Sequence, residues 1–544
     1  MKRLTGFLLL LVVFSAQAQN VNRPKLVVGM VVDQMRWDYL YRYYDRYTND
    51  GFKRLLREGF SCENTFIPYL PTHTAPGHTC VYTGSVPALH GIMGNNWYDE
   101  AQKKTVYCTD DSTVQTVGST SVAGKMSPRN MWANTVTDEL RLATNFQSKT
   151  IAIALKDRGA ILPGGHMANA AYWFDNATGG WISSTFYMQD LPAWVKKFNN
   201  RKLPDTYLSQ NWNTLFPIET YKQSTADSNA YEGKLGTEDF TFPHTTASIT
   251  SNKYESFRTT PSGNTYTFEM AKAALEAEQL GKRGVTDFLA LSFSSPDYIG
   301  HTFGPNSIEV EDTYLRLDRE LAGFLKHLDA TIGKGQYLVF LTADHGAAHN
   351  ATFLRDNKIS VGSFDEAKVR RELNDSLQKY FGSKNLIGRY TNYQYFLDDS
   401  VVAQNNINRK KLKEYIICVL AKQPAEYTAV DIADISASSL PVDLKVVLSN
   451  SFNAKLSGDI QVIFKPSGID SWRVGATHGL WNPYDSHIPL LWFGWKIKPG
   501  KSHREVYMTD IAPTVSALLH IQMPNATIGN VIEEVIRTGG ETGK

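Results

Sequence analysis

Four short apolar runs in this chain each stop abruptly at a polar group. Lys25 to Val32 (KLVVGMVV) ends at Asp33, and Thr150 to Leu155 (TIAIAL) ends at Lys156-Asp157-Arg158. Asp287 to Phe293 (DFLALSF) runs into Ser294-Ser295-Pro296-Asp297, and Tyr337 to Leu341 (YLVFL) into Thr342-Ala343-Asp344-His345-Gly346. Runs of this length without alternation suit strands covered on both faces, as in a parallel sheet between helical layers. Helical patterns punctuate them: Asn130 to Thr144, Thr267 to Gln279, and a long amphipathic stretch opened by Ser307 and reaching about Ile332. A further strand at Ile488 to Phe493 and a helix beginning at Thr509 to Pro513 close the chain. The expected fold is α/β: three layers, α/β/α, around a central, mostly parallel sheet. Such sheets bind ligands beyond the carboxyl ends of their strands, so the residues ending the four runs should share one rim.

The remaining text brackets this core. Residues 1–18 have a basic start (Lys2, Arg3), an apolar run from Phe7 to Phe14 and a small-residue site at Ala16-Gln17-Ala18, the pattern of a secretory signal peptide cut near Ala18. The first cysteine is Cys62, far from that site, so a lipid anchor is not expected, and no later apolar run approaches the roughly 20 residues that span a bilayer. Residues 19–544 are then expected to form one domain, periplasmic or secreted. Segments near 164–263 and 350–470 lack a sustained α/β rhythm and read as insertions, the first as a cap over the rim. Removing Lys2 and Arg3 from the 56 basic residues leaves 54 against 54 acidic ones, a balance that offers nothing to nucleic acid or an anionic membrane. Cys62, Cys80, Cys108 and Cys418 allow up to two disulfides, with free buried thiols the alternative. The oligomeric state stays open, with a monomer the simpler expectation.

The strand ends and neighbouring loops supply Asp33, Asp297, His301, Asp344, His345 and His478, to which the run PTHTAPGHTCVYTG from Pro71 adds several hydroxyls. Three carboxylates and three imidazoles are a suitable ligand supply for two zinc ions. A threonine hydroxyl, a poor nucleophile at neutral pH, is activated by such a cation. Taken singly, each residue has an ordinary structural explanation, such as a helix cap, an Asx-turn or a core histidine; the recurrence at four strand ends is what points to a site.

These motifs, with S-P-D-x-x-G-H from Ser295, T-A-D-H-G from Thr342, T-H-G from Thr477 and T-D-I-A-P-T from Thr509, occur in the order that resembles the alkaline phosphatase superfamily. The likeness is to its type I phosphodiesterase and nucleotide pyrophosphatase branch, and within it to secreted bacterial alkaline phosphatases with a threonine nucleophile. The resemblance implies one zinc ion on Asp297, His301 and His478 and a second on Asp33, Asp344, His345 and the oxygen of Thr74. It also implies that Thr74, rather than Thr72 or Thr79, is the nucleophile of a double displacement through phosphothreonine. Asn95, with Asn96 as its rival, falls at the phosphate-binding asparagine.

Charge separates the possible substrates. Two zinc ions and three carboxylates leave one positive charge, which a Thr74 alkoxide cancels, so a dianionic monoester needs further cations. Lys156 and Arg158 supply them, and the resemblance places that pair in the monoesterase branch. At about 4 Å and an effective dielectric near 20 each such contact is worth about 4 kcal/mol before desolvation. The expected substrates are small-molecule phosphate monoesters. A phosphodiesterase with the same two-zinc site is the alternative and a non-catalytic phosphate-binding protein a remote one; a sulfatase is disfavoured because no Cys/Ser-x-Pro-x-Arg signature is present.

Overall fold

A computed structural model describes residues 21–236, 240–422, 427–466, 468–470 and 474–537. The expected signal peptide lies outside them. Eleven described strands form one sheet, in the order His487–Ile488, Phe60–Phe66, Leu490–Gly494, Tyr337–Thr342, Leu26–Val32, Asp287–Phe293, Thr150–Ala154, Ala170–Phe174, Trp181–Ser184 and Thr116–Val117, with Gly500–Tyr507 paired on Phe60–Phe66. The five from Tyr337–Thr342 to Ala170–Phe174 are mutually parallel, and antiparallel strands finish both edges. Each of the four apolar runs holds a strand, and each of those strands is buried at every position because helices cover both faces.

Register is what makes the rim. Val31 lies opposite both Thr342 and Ser292, and Ser292 lies opposite Ala154, so the four strands stop level with one another. The Asp33 N–H then donates to the Phe293 carbonyl (3.1 Å), and the Lys156 N–H to Ser294 Oγ (3.2 Å). The long helix Ile308–Leu328 follows the third strand. The Ser307 hydroxyl accepts from the Val310 N–H at its start, Glu309 and Glu311 occupy its first turn, and Lys326 and His327 occupy its last, so each charge opposes the nearer end of the helix dipole.

One expectation needs correction and one open choice is resolved. The stretch 164–263 is not wholly a cap: Ala170–Phe174 and Trp181–Ser184 extend the main sheet, and their Tyr, Trp and Phe side chains belong to its core. Aromatic content there reflects burial at a sheet edge rather than a surface insertion. No disulfide forms, for all four cysteines are free. Cys62 and Cys80 are in the main core, Cys108 packs in a separate cluster, and Cys418 is exposed.

The excursion after residue 350 builds a smaller lobe. Its antiparallel sheet runs Ile387–Thr391, Gln394–Leu397, Ile460–Phe464, Tyr427–Asp431. Helices Glu366–Phe381 and Arg409–Leu420 supply Leu373, Leu377, Leu412 and Ile416 to a core of its own. The first two strands join through Asn392 and Tyr393, both at positive φ (53° and 62°), the left-handed pair a two-residue hairpin favours. That hairpin tip reaches the rim of the larger sheet: Asn392 Nδ2 donates to the Asn96 carbonyl (2.9 Å), and the Tyr393 hydroxyl to the His478 carbonyl (3.3 Å).

Candidate active site

Thr74 is the first residue of the helix Thr74–Thr83, preceded by His73 in extended conformation, and every side chain of that helix is buried. Gly77 is why the helix approaches the sheet so closely. A Cβ there would lie 2.5 Å from the Asp344 carbonyl oxygen, so only glycine lets helix and strand end touch backbone to backbone. His78, one turn after Thr74, braces the same contact, with Nδ1 2.9 Å from the Thr74 carbonyl and 3.2 Å from Asp344 Oδ2, and Nε2 2.8 Å from Ser292 Oγ.

The predicted ligands converge. Asp297 Oδ1 lies 3.2 Å from His301 Nε2 and 3.5 Å from His478 Nε2; His345 Nε2 lies 3.5 Å from Asp344 Oδ2 and 3.6 Å from Asp33 Oδ1. Two groups have ligand atoms all within 4.8 Å of one another, Asp33 with Asp344 and His345, and Asp297 with His345 and His478. His345 thus belongs to both, its ring stacked on His478 at 3.5 Å, while His301 reaches Asp297 and His478 from the side.

Main-chain carbonyls orient the three imidazoles. Nδ1 of His301 faces the Ala476 carbonyl (2.8 Å), that of His345 the Gly346 carbonyl (3.0 Å) and that of His478 the Thr72 carbonyl (2.7 Å). A carbonyl only accepts, so each Nδ1 carries a proton, and in the neutral ring Nε2 is left with a lone pair facing inward, the tautomer a metal-binding histidine needs. His478 and His301 bring those nitrogens within 3.3 Å of each other. Asp33 Oδ1 and His345 Nε2 are buried without a hydrogen-bond partner. Buried lone pairs and carboxylates gathered this way fit divalent cations.

Electrostatics agree. Burial pushes the Asp33 carboxyl well above its usual range, with Asp344 adding to the rise against Lys156. Burial would also raise Asp297, but His301 and Lys156 hold it well below the carboxylate range. Asp344 is brought to about 2 by His345 and His78 against its burial. Burial, reinforced by His345 and His301, keeps His478 far below the usual imidazole value, hence neutral and able to ligate.

The anion-binding candidates surround Thr74. Asn95 Oδ1 accepts from the Ala75 N–H (2.9 Å), in the first turn of the Thr74 helix; its rival Asn96 is exposed and starts a strand. Lys156 Nζ lies 3.3 Å from Thr74 Oγ1, but also 2.7 Å from Asp33 and 2.6 Å from Asp297. Two buried carboxylates thus draw the ammonium between them, beside the Thr74 hydroxyl. Arg158 instead reaches the Tyr107 hydroxyl through Nη1 (3.0 Å).

Comparison with known proteins places this arrangement. The sequence matches the description of type I phosphodiesterase / nucleotide pyrophosphatase over residues 27–468. The chain belongs to that family. Alkaline phosphatase PhoV of Synechococcus elongatus is 54% identical over 95% of this chain and 94% of its own. A protein of Myroides odoratus named calcium-transporting ATPase is 52% identical over 95% and 96%. Alkaline phosphatase PafA of Elizabethkingia meningoseptica is 50% identical over 98% and 99%, and the crystal structure of PafA superposes with a TM-score of 0.92, covering 95% of this chain and 99% of that one. The fold of this family member is accordingly the alkaline phosphatase-like α/β fold, and its membership in the wider superfamily follows.

Three residues at the site escaped sequence reasoning. Gln34 is tied to Asp297 and Asp344, His78 braces Asp344 and Thr74, and Tyr107 holds Arg158. His78 stands inside the quoted Thr74 run and was the most discoverable; Gln34 adjoins Asp33 but carries no signal of its own, and Tyr107 depends on a hairpin that strand periodicity alone does not place.

Proposed function

We propose that this protein is an alkaline phosphatase-type phosphoric monoester hydrolase that works by double displacement through Thr74. The observation that carries the reading is the meeting of Thr74 Oγ1, Lys156 Nζ, Asp33 and Asp297 in one buried contact set, with the imidazoles of His301, His345 and His478 at its edge. Its relatives PhoV and PafA are alkaline phosphatases by name.

Asp33, Asp344 and His345, with the Thr74 oxygen, are the residues suited to hold one zinc ion; Asp297, His301 and His478 are suited to the second, with His345 within reach of both. Bound there, the ions supply Lewis-acid chemistry that lowers the pKa of a hydroxyl or water and offsets charge on a leaving oxygen. Thr74 Oγ1 gives up its proton and forms a bond to phosphorus as the bond from phosphorus to the leaving oxygen breaks, and the leaving oxygen departs carrying that proton. Water then attacks phosphothreonine from the opposite side, returning the Thr74 hydroxyl and releasing phosphate. Asn95, Lys156 and Arg158 hold the non-bridging oxygens, the positioning and charge stabilisation on which phosphoryl transfer mostly depends. Residues 1–18 direct export, with action outside the cytoplasm on small phosphate esters. No described helix is long and apolar enough to cross a membrane.

The test is the ratio of monoester to diester hydrolysis by wild type, Lys156→Ala and Arg158→Ala. Each substitution should lower monoester kcat/KM by about tenfold or more, with the diester rate much less affected. The family's description favours a second reading, a phosphodiesterase or nucleotide pyrophosphatase; a diester preference that survives both substitutions would establish it.

A further inference from the structure

Asn95 and Arg158 come from separate elements, and one hairpin holds them both. Asn96–Asp99 pairs antiparallel with Lys104–Tyr107, Asn96 opposite Tyr107, and the Cys108 N–H donates to the Asn95 carbonyl (3.0 Å). At one corner Asn95 Oδ1 is occupied by the Ala75 N–H, which leaves its amide donors for a ligand. At the other corner the Tyr107 hydroxyl accepts from Arg158 Nη1 (3.0 Å) and donates to Asp157 Oδ1 (2.8 Å), while Thr109 Oγ1 donates to Asp157 Oδ2 (2.5 Å).

The direction of this relay is fixed. A phenol has one proton, and a carboxylate takes it, so the oxygen lone pair is left for the guanidinium. Burial, together with Asp157, pushes the Tyr107 pKa well above the ordinary tyrosine value, so the proton stays in place. Arg158 itself is 3.8 Å from Asp157, too far for a hydrogen bond; the hydroxyl is the link. Arg158 Nε is buried and makes no hydrogen bond. With Nη1 anchored, that N–H belongs to the part of the fork left over for two phosphate oxygens.

The hairpin is also braced from outside. Arg389 of the small lobe stacks over the Tyr98 ring (4.2 Å) and donates to Thr105 Oγ1 (3.4 Å), and Asn392 holds the Asn96 carbonyl.

We propose that Tyr107 is a positioning residue for monoester specificity: its hydroxyl, oriented by Asp157 and Thr109, fixes the Arg158 guanidinium relative to the Asn95 amide so that the two together bind a dianionic phosphoryl group. The inference rests on the monoesterase reading above. A diester has one non-bridging oxygen fewer and one charge less, so it gains less from this pairing.

Tyr107→Phe keeps the ring and removes only the hydroxyl. In zinc-loaded, full-length protein, calorimetric affinity for inorganic phosphate and monoester kcat/KM should each fall about tenfold. Diester kcat/KM should stay within about twofold, and the melting temperature should be little changed. In an Arg158→Ala background the same substitution should have no further effect, since the hydroxyl acts through the guanidinium. Asp157→Asn, which weakens the acceptor orienting the hydroxyl, should give a smaller version of the same split and serves if Tyr107→Phe does not fold. Equal losses on both esters, an undiminished effect in the Arg158→Ala background, or no loss of phosphate affinity would each overturn the proposal. A wild type that hydrolyses monoesters while Tyr107→Phe matches it sinks this inference alone; a wild type inactive on monoesters and unable to bind phosphate sinks the monoesterase reading as well.

Discussion

Gln34 Nε2 donates to Asp297 Oδ1 at 2.6 Å, tying the end of the first strand to the short helix Ser295–Phe303 just after the third. The Gln34 N–H also donates to Asp344 Oδ1 (3.2 Å), and the residue holds φ at +65° to do both. Its side chain in turn occupies the space a Cβ on Gly300 would need, 1.9 Å from Gln34 Oε1. Gly300→Ala should therefore dislodge the amide from Asp297. We expect zinc affinity to fall about 10- to 100-fold, the range typical of lost outer-shell partners, with Gln34→Leu behaving alike. Titration of apoprotein against a zinc indicator checks this, and unaltered affinity in both variants would refute the tie.

Thr74 offers a sharper test of chemistry. Thr74→Ala should lose more than about a thousandfold in kcat, whereas Thr74→Ser, which keeps an oxygen at the first position of its helix, should retain measurable turnover. Acid quenching during turnover, followed by peptide mass spectrometry, should find phosphate on residue 74 and on neither Thr72 nor Thr79.

Metal removal should abolish activity without unfolding the chain, because the three imidazoles are each held by a main-chain carbonyl. Readdition of zinc at a hundred times its Kd should stabilise the fold by about 2.7 kcal/mol per site through mass action. Thermal melts with and without chelator read both effects; collapse of the apoprotein at ordinary temperature would count against a preformed site.

Asp485 predicts a pH dependence of stability. Burial pushes its carboxyl up to about 8, although Oδ2 accepts from the Leu480 and Gly479 N–H groups. In the unfolded chain the group titrates near 3.9, so between about pH 4 and pH 8 only the folded state holds the proton. Its contribution is therefore fully present below about pH 4 and is lost as pH rises through 8. Asp485→Asn cannot ionise, and should gain melting temperature relative to wild type from pH 5 to pH 9; parallel curves would show the carboxyl to be ionised throughout.

The parts of this protein written in contiguous residues were legible from sequence. Each of the four strands carries its own apolar run and its own terminal acid or base, so the sheet, its rim and the candidate ligands upon it follow from local pattern and the order of motifs. Contacts made across the chain were not. Ala170–Phe174 looks like loop text because its aromatic residues serve a sheet edge, and the two carboxylates that flank Lys156 meet it only when the fold brings positions 33 and 297 together. Tyr107 belongs to the same class, its partner Arg158 lying 51 residues away.

The tip at Asn392 and Tyr393 means that the reaction centre has two landlords. The large sheet owns the acids, imidazoles and hydroxyl, while a separately cored lobe presses on the backbone of residues 96 and 478 from above. A change at Asn392 or Tyr393 therefore reaches residues 96 and 478 through their carbonyls, from a core that shares no residue with the main sheet.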